Sequence, residues 1–154
     1  MAFDKYLKMI LDRAAHEATA DGATTVEAEH LLLAMAEQSE TDVGRFLAGL
    51  GLGHVALRTA LDRESEQALN SVGVSLDAAA QRRKPDSSSL AGQLGNSVRH
   101  ALERGLDGLH GAPRPGHLLL GVLQAEVGRV PRALALAGID RAALIGQVRH
   151  ALLG

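Results

Sequence analysis

Cysteine is absent from the sequence of 154 residues, and so is tryptophan. Without cysteine there is no disulfide framework and no thiolate site for a metal or for redox chemistry. The only aromatic rings are those of Phe3, Tyr6 and Phe46. Because apolar residues still reach 46 %, the interior must be aliphatic. Alanine, leucine, glutamate and arginine are abundant, which is typical of a helical domain.

Long apolar runs are also missing. None approaches the roughly 20 residues that a membrane-spanning helix needs. The amino-terminal stretch MAFDKYLKMILDRAAHE is charged at short intervals, unlike a signal peptide. We therefore expect a soluble, cytoplasmic protein without a membrane partner.

The net charge is only −2, but it is unevenly distributed. Residues 1–66 carry 6 Lys and Arg against 12 Asp and Glu, a net of −6, whereas residues 67–154 carry 10 against 6, a net of +4. This imbalance is more typical of a solvated surface than of a nucleic-acid interface. A helix-turn-helix DNA-binding domain would need a basic recognition helix, and the best candidate, near residues 99–104, also contains Glu103. We expect no nucleic-acid partner.

The chain contains an internal repeat. His-Leu-Leu-Leu occurs at residues 30–33 and again at residues 117–120, an offset of 87. The same offset, without a gap, aligns identical or similar residues from Phe3 with Leu90 to Leu61 with Val148. A register held over this length indicates a duplicated structural unit.

Each copy predicts four helices, from apolar residues at helical spacing and from cap signals. The first is expected to end near residue 21, and Thr24 or Thr25 to cap the second. Asp140 is an expected N-cap, while Gly51 and the repeat-related Gly138 suit the left-handed position after a helix. The other expected helices span about 43–50 and 53–69, and then 90–106, 115–125, 130–137 and 140–153.

Residues 70–89, between the copies, are polar and interrupted by Gly, Pro and Ser, which predicts an exposed linker. Repeat 1 then spans residues 3–69 and repeat 2 residues 90–153 of one domain, 1–154. Four short helices enclose only a thin core, so the copies are expected to pack about a pseudo-twofold axis. The predicted fold is all-α, two tandem four-helix repeats with about eight helices.

Two motifs of each copy carry a family resemblance. AEHLLLA at 28–34 and PGHLLLG at 115–121, with the turns LAGLGL at 47–52 and LALAGI at 134–139, resemble the N-terminal domain of Clp ATPases, particularly of ClpC type. The resemblance covers residues 3–153. It implies a non-catalytic domain that receives client proteins and adaptors in front of an unfoldase. The chain has no Gly-x-x-x-x-Gly-Lys phosphate loop, so we expect no enzymatic activity and no cofactor. We expect a free-standing N domain, the alternative being the N domain of a longer ATPase.

The resemblance also implies ligand-binding residues. In ClpC-type domains the Glu before the His helps to bind phosphoarginine, and here that position holds Glu29 in the first copy and Gly116 in the second. A carboxylate pairs with the guanidinium, and helix-start amides can hold the phosphate. Asp4 replaces the Thr of the family's entry motif, and its charge opposes a phosphate. The alternative role of Glu29 is to stabilise the helix dipole.

Phe3 is the other binding candidate. Family members use an exposed Phe near this position, with neighbours from the second copy, as a hydrophobic docking surface, which cyclic-peptide antibiotics also use in actinobacterial relatives. The repeat-related residue of Phe3 is Leu90. The alternative is that Phe3 is a hydrophobic staple of the first helix.

The histidines invite a metal hypothesis, which the spacing does not favour. His30 and His117 are equivalent under the repeat, so we expect a shared structural role, a hydrogen bond from the helix start to a neighbouring loop. No third ligand stands at a diagnostic spacing, and no metal site is expected. His54, His100 and His150 are expected to face solvent.

Two classes of function are therefore compared. The first is a module that binds phosphoarginine-marked or unfolded clients, or Clp ATPase and protease components, as a decoy and accessory regulator or as an adaptor. The second is a small helical enzyme or metal-binding bundle, which would need paired acids at Glu-x-x-His spacing or a nucleophile with a base. The sequence favours the first class.

Overall fold

The computed structural model describes residues 2–71 and 93–154, so Leu90 and most of the expected linker lie outside the described residues. Within the described ranges the chain is all-α, as predicted, with eight helices. They are α1 (Phe3–Ala20), α2 (Ala28–Glu37), α3 (Asp42–Gly49), α4 (His54–Ser71), α5 (Asn96–Leu106), α6 (Pro115–Leu123), α7 (Arg129–Leu136) and α8 (Arg141–Leu152).

The helix boundaries repeat with the offset of the sequence. Helices α2, α3 and α4 begin at residues 28, 42 and 54, and α6, α7 and α8 begin at residues 115, 129 and 141, each 87 positions later. Contacts between the halves repeat in the same way. Each contact of one half with the other has a counterpart, α2–α5 in α6–α1, α3–α6 in α7–α2 and α3–α8 in α7–α4. Helix α2 packs against its own counterpart α6. The arrangement is therefore pseudo-twofold.

The core is centred on α2 and α6. Residues 28–36 of α2 and 118–123 of α6 are all buried, and a helix that is apolar on every side belongs in an interior. Tyr6, Ile10 and Ala14 of α1 close the core from one side. Burial of a leucine side chain stabilises the fold by roughly 1.5–3 kcal/mol, so the two Leu-Leu-Leu segments account for much of the packing energy.

Gly51 and Gly138 end α3 and α7 in the same way. Their φ angles are 73° and 75°, in the left-handed region that favours glycine. The N–H of Leu52 donates to the carbonyl of Leu47 at 2.8 Å, and the N–H of Ile139 donates to that of Leu134 at 2.9 Å. This hydrogen-bond pattern is a Schellman motif, which satisfies carbonyls at a helix end.

Helices α5 and α6 approach closely at two glycines. A Cβ atom at Gly121 would lie 1.9 Å from the carbonyl oxygen of Ala101, and one at Gly105 would lie 2.3 Å from that of His117. Real Cβ atoms do not come this close to backbone atoms. Glycine is therefore needed at both positions for the observed helix distance.

Helix α5 starts later than predicted, at Asn96 rather than near residue 90. Leu94 instead forms an isolated parallel bridge with Val26, whose N–H donates to the carbonyl of Gln93 at 3.0 Å. The N–H of Gly95 donates back to the carbonyl of Val26 at 2.8 Å. The expectation was wrong because this pairing between the repeats competes with helix at residues 93–95.

The cap of α2 also differs from the prediction. Glu27, not Thr24 or Thr25, is the N-cap residue. Its carboxylate accepts a hydrogen bond from the hydroxyl of Ser97 at 2.6 Å, and Ser97 Oγ accepts one from the N–H of Ala28 at 2.8 Å. A serine from the second repeat therefore completes the start of a helix in the first.

None of the helices in the described ranges is both long enough and apolar enough to cross a bilayer.

Candidate functional site

A group of buried acids lies where the first repeat meets α7. Glu29 is in the first turn of α2 and is 7 % exposed, and Glu64 of α4 is 4 % exposed. Arg129, the first residue of α7, places its guanidinium between them. Its Nη1 lies 3.3 Å from Glu29 Oε1, and its Nε lies 3.2 Å from Glu64 Oε2. Pairing of this kind offsets part of the cost of burying charged groups.

The other hydrogen bonds of Arg129 go to α4. Its Nη2 donates to the hydroxyl of Ser65 at 2.6 Å and to the carbonyl of Leu61 at 3.2 Å. Arg132, one helical turn later, donates from Nε to Glu64 Oε1 at 2.8 Å. We name Arg129, Glu29, Glu64 and Ser65 the Arg129 cluster. Its acceptors hold a guanidinium that the protein itself supplies.

The acidic group continues towards the end of α1 through Asp21. Asp21 Oδ2 lies 3.0 Å from His30 Nε2, and Nδ1 of the same ring accepts the N–H of Glu27 at 2.9 Å, so Nε2 is the donor. Arg58 donates to the other carboxylate oxygen of Asp21 at 2.5 Å. Burial alone would raise the pKa of Asp21, but the His30 hydrogen bond and the Arg58 charge outweigh it and lower that pKa. His30 thus ties the start of α2 to the end of α1.

His54 does not face solvent freely, contrary to the expectation. Its Nε2 donates to Glu17 Oε1 at 2.5 Å, and Arg58 donates to Glu17 Oε2 at the same distance. Glu37 completes a group with Glu17 and His54 in which the possible metal-ligating atoms all lie within 4.8 Å. Arg58 already pairs with the carboxylate of Glu17. A metal ion bound between Glu17, Glu37 and His54 would therefore face the Arg58 guanidinium.

The second copy lacks these acids. Gly116, in the position related to Glu29, packs so closely that a Cβ atom would lie 2.9 Å from Leu152 Cβ. His117 Nδ1 accepts the N–H of Arg114 at 2.8 Å, the same bond that His30 makes. Burial and then the Arg114 charge lower the pKa of His117. The position related to Asp21 is Gly108, so no carboxylate faces the other ring nitrogen from there.

The remaining candidates lie on α1. Phe3 is partly buried and packs against the core, and Asp4 is exposed. Further along the helix, a shallow cavity of about 350 Å³ is lined by Lys5, Lys8 and neighbouring side chains.

Sequence reasoning missed Arg129, Glu64 and Arg58. One signal for Arg129 was present in the repeat, because the aligned position in the first copy holds Asp42. A reversal of charge between otherwise similar copies indicates that the side chain has a different partner in each copy.

The fold and this site define a duplicated helical module whose polar clusters are paired internally. The family model of the Clp repeat (R) N-terminal domain matches residues 2–98, more than half of the chain. The chain belongs to this family, as the motifs predicted. No curated protein matches it. Membership supports a protein-binding module related to Clp systems.

Proposed function

We propose that the chain is a non-catalytic module that binds client or partner proteins of Clp-type proteolysis. The observation that carries the proposal is the family match over residues 2–98. The pseudo-twofold packing supports it, because two repeats that share one core leave their outer helix faces and the clefts between them for other polypeptides.

The alternative of an enzyme or metal-binding bundle has less support. A general base must reach a substrate proton, and a metal ligand must have a free lone pair. The acids at this site of the first repeat already have partners within the protein, Glu29 in Arg129, Asp21 in His30 and Glu17 in Arg58. Elemental analysis that found stoichiometric metal would favour the alternative.

Phosphoarginine recognition at Glu29 belongs to the proposal in a specific form. The Glu29 carboxylate is buried and accepts a hydrogen bond from Arg129, so an external guanidinium competes there with an internal one. Gly116 offers no carboxylate at the related position. We therefore propose one phosphoarginine site, and a competition for it between the ligand and Arg129.

A titration with phosphoarginine, followed by amide chemical shifts, tests this competition. Arg129→Gln should tighten binding, because the displaced guanidinium is gone, and Glu29→Gln should abolish binding in both backgrounds. Arg45→Gln is the matched control, since Arg45 is exposed and pairs with Asp42 rather than with Glu29. Binding that is indifferent to Glu29→Gln would remove phosphoarginine recognition at Glu29 from the proposal.

Phe3 and Leu90 are proposed as a second, hydrophobic docking surface, for clients, adaptors or cyclic-peptide antibiotics. Phe3→Ala should weaken the binding of such a peptide while leaving phosphoarginine binding unchanged. Equal loss of both would indicate instead that Phe3 acts through the stability of α1.

The module is proposed to act as a decoy or accessory regulator rather than as an adaptor. A degradation assay with a ClpC-type ATPase, its protease and an unfolded client protein separates these roles. A decoy lowers the rate of client degradation as its concentration rises, and an adaptor raises it. A rate that stays constant at a large excess of the chain would contradict both roles.

A further inference from the structure

The pseudo-twofold axis relates the Arg129 cluster to a second location. The residues 87 positions from Arg129, Glu29 and Glu64 are Asp42, Gly116 and Ala151. All three line one cleft of about 650 Å³. The same place in the fold is therefore filled by a guanidinium in one half and empty in the other. We name this second location the open cleft.

The open cleft lies between α3, the first turn of α6 and the end of α8. Its lining includes the apolar side chains of Val43, Phe46, Pro115 and Leu152. Glycine and alanine replace the two carboxylates of the Arg129 cluster, and Leu152 replaces Ser65. A cation therefore finds none of the side-chain acceptors that hold Arg129, and an apolar side chain finds a surface that suits it.

The charged side chains that line the open cleft are those of Asp42, Arg45 and Arg114. Asp42 already accepts a hydrogen bond from Arg45 Nη2 at 2.5 Å. Arg114 donates from Nη2 to the carbonyl of Leu153 at 3.0 Å, which leaves its other N–H groups for a ligand. Asp42 and Arg45 neutralise each other, so the guanidinium of Arg114 is the group in the lining that can pair with an anionic side chain.

The open cleft extends along α8. A neighbouring cavity of about 460 Å³ shares Phe46 and Ala151 with it and reaches Leu50, which is 41 % exposed. The related interface between α4 and α7 carries the Arg132–Glu64 ion pair beside a cavity of about 520 Å³. Helix α4 packs on α7 more extensively than α3 packs on α8, and the α3–α8 side offers room for several residues of an extended peptide.

We propose that the open cleft binds a partner peptide that presents apolar side chains next to carboxylates. The apolar side chain packs against Phe46 and Leu152, and the carboxylate pairs with Arg114. The inference rests on the proposed function, since it names the partner chemistry for a protein-binding module. It places this binding in the half of the molecule that has no carboxylate at the family's Glu position.

A set of three short peptides tests the proposal by amide chemical shifts of the full chain. The first is acetyl-Glu-Leu-Glu-Leu-Glu-amide, the second has Lys for Glu, and the third has Gly for Leu. Only the first should shift the resonances of Phe46, Gly116 and Ala151 in a saturable manner. Arg114→Glu should weaken its binding by about tenfold or more, as expected for a lost charge-assisted bond.

Variants of matched chemistry separate binding from folding. Ala151→Trp fills the open cleft and should abolish binding, whereas Ala142→Trp, on another exposed position of α8, should not. Arg99→Glu on α5 is the charge control for Arg114→Glu. Circular dichroism melts identify any variant that fails to fold. If either Arg114→Glu or Ala151→Trp does not fold, the binding measured for the other variant decides the test.

Three outcomes would overturn the proposal: no saturable shift with the first peptide, equal binding of the lysine peptide, or the same shifts produced by protein concentration alone. The last would assign the open cleft to a second copy of the chain. The degradation assay is independent of these results. If the chain alters client degradation and Ala151→Trp does so equally, the proposed function stands and only the open cleft is excluded.

Discussion

Arg129 Nη1 lies 3.3 Å from Glu29 Oε1, although 100 residues of sequence separate the two. The pair joins the second repeat to the first through charge, at the margin of an aliphatic core. Asp42, in the position related to Arg129, forms only an exposed pair with Arg45. The two halves share a backbone plan but differ in how they are held together at this point.

Arg129→Ala should destabilise the fold by about 2–3 kcal/mol, because it leaves Glu29 buried without its partner and Glu64 with Arg132 alone. The Arg129 side chain is 24 % exposed, so we expect less than for a fully buried pair. Urea unfolding at neutral pH measures the change. Asp42→Ala is the control and should change stability by less than about 0.5 kcal/mol. Similar losses in both variants would show that the cluster contributes no more than an exposed pair.

Asp21 should make the folding stability depend on pH. Its pKa in the folded state is lowered, while the unfolded value is about 3.9. The folded state therefore favours the carboxylate, and this stabilisation is complete above about pH 4 and lost as the pH falls through the lower, folded pKa. Asp21→Asn should lower the free energy of unfolding at neutral pH. The free energy of unfolding of this variant should also decrease less steeply than that of the parent protein below about pH 4. Urea unfolding across this range tests it, with Asp12→Asn, an exposed change on the same helix, as the control. An unchanged acid profile in Asp21→Asn would contradict the assignment.

Gly121→Ala should destabilise the protein by roughly 1–3 kcal/mol, because the added methyl group meets the backbone of Ala101 and overpacks the α5–α6 contact. Gly146→Ala, in an exposed position of α8 with open space around its Cβ, should instead stabilise it by up to about 1 kcal/mol through helix propensity. Thermal unfolding of both variants measures the difference. We expect changes in stability of opposite sign in the two variants. No change in stability in Gly121→Ala would show that helices α5 and α6 can move apart.

Tyr6→Phe should stabilise the fold by up to about 1 kcal/mol. Tyr6 is 1 % exposed, and its hydroxyl has no hydrogen-bond partner among the described residues. Burial also raises the pKa of this hydroxyl. Removing a buried, unpaired polar group avoids its desolvation cost. Tyr6→Ala should cost about 3–5 kcal/mol, since it leaves a cavity at the same position. A loss of stability in Tyr6→Phe would mean that the hydroxyl is paired.

Much of the candidate site could not be predicted, for reasons that concern particular residues. His30 was expected to bond a neighbouring loop, and it bonds Asp21, the residue that follows α1. Glu29 was selected through the family motif, but its partner Arg129 was not. A pair of charges in different repeats has no signal in local spacing, and its distance depends on how the repeats pack.

The sequence by itself determined the helices, their order and their duplication. Helix formation depends on the spacing of apolar residues within a few positions, so helices that begin at residues 28, 42 and 54 recur at 115, 129 and 141. Only the tertiary structure decided which of the two equivalent clefts holds a guanidinium of the protein itself. Pseudo-twofold packing brings Arg129 to the acids of the first repeat and leaves Asp42 opposite Gly116 and Ala151. Electrostatic pairing depends on distance in space, which a linear pattern does not contain.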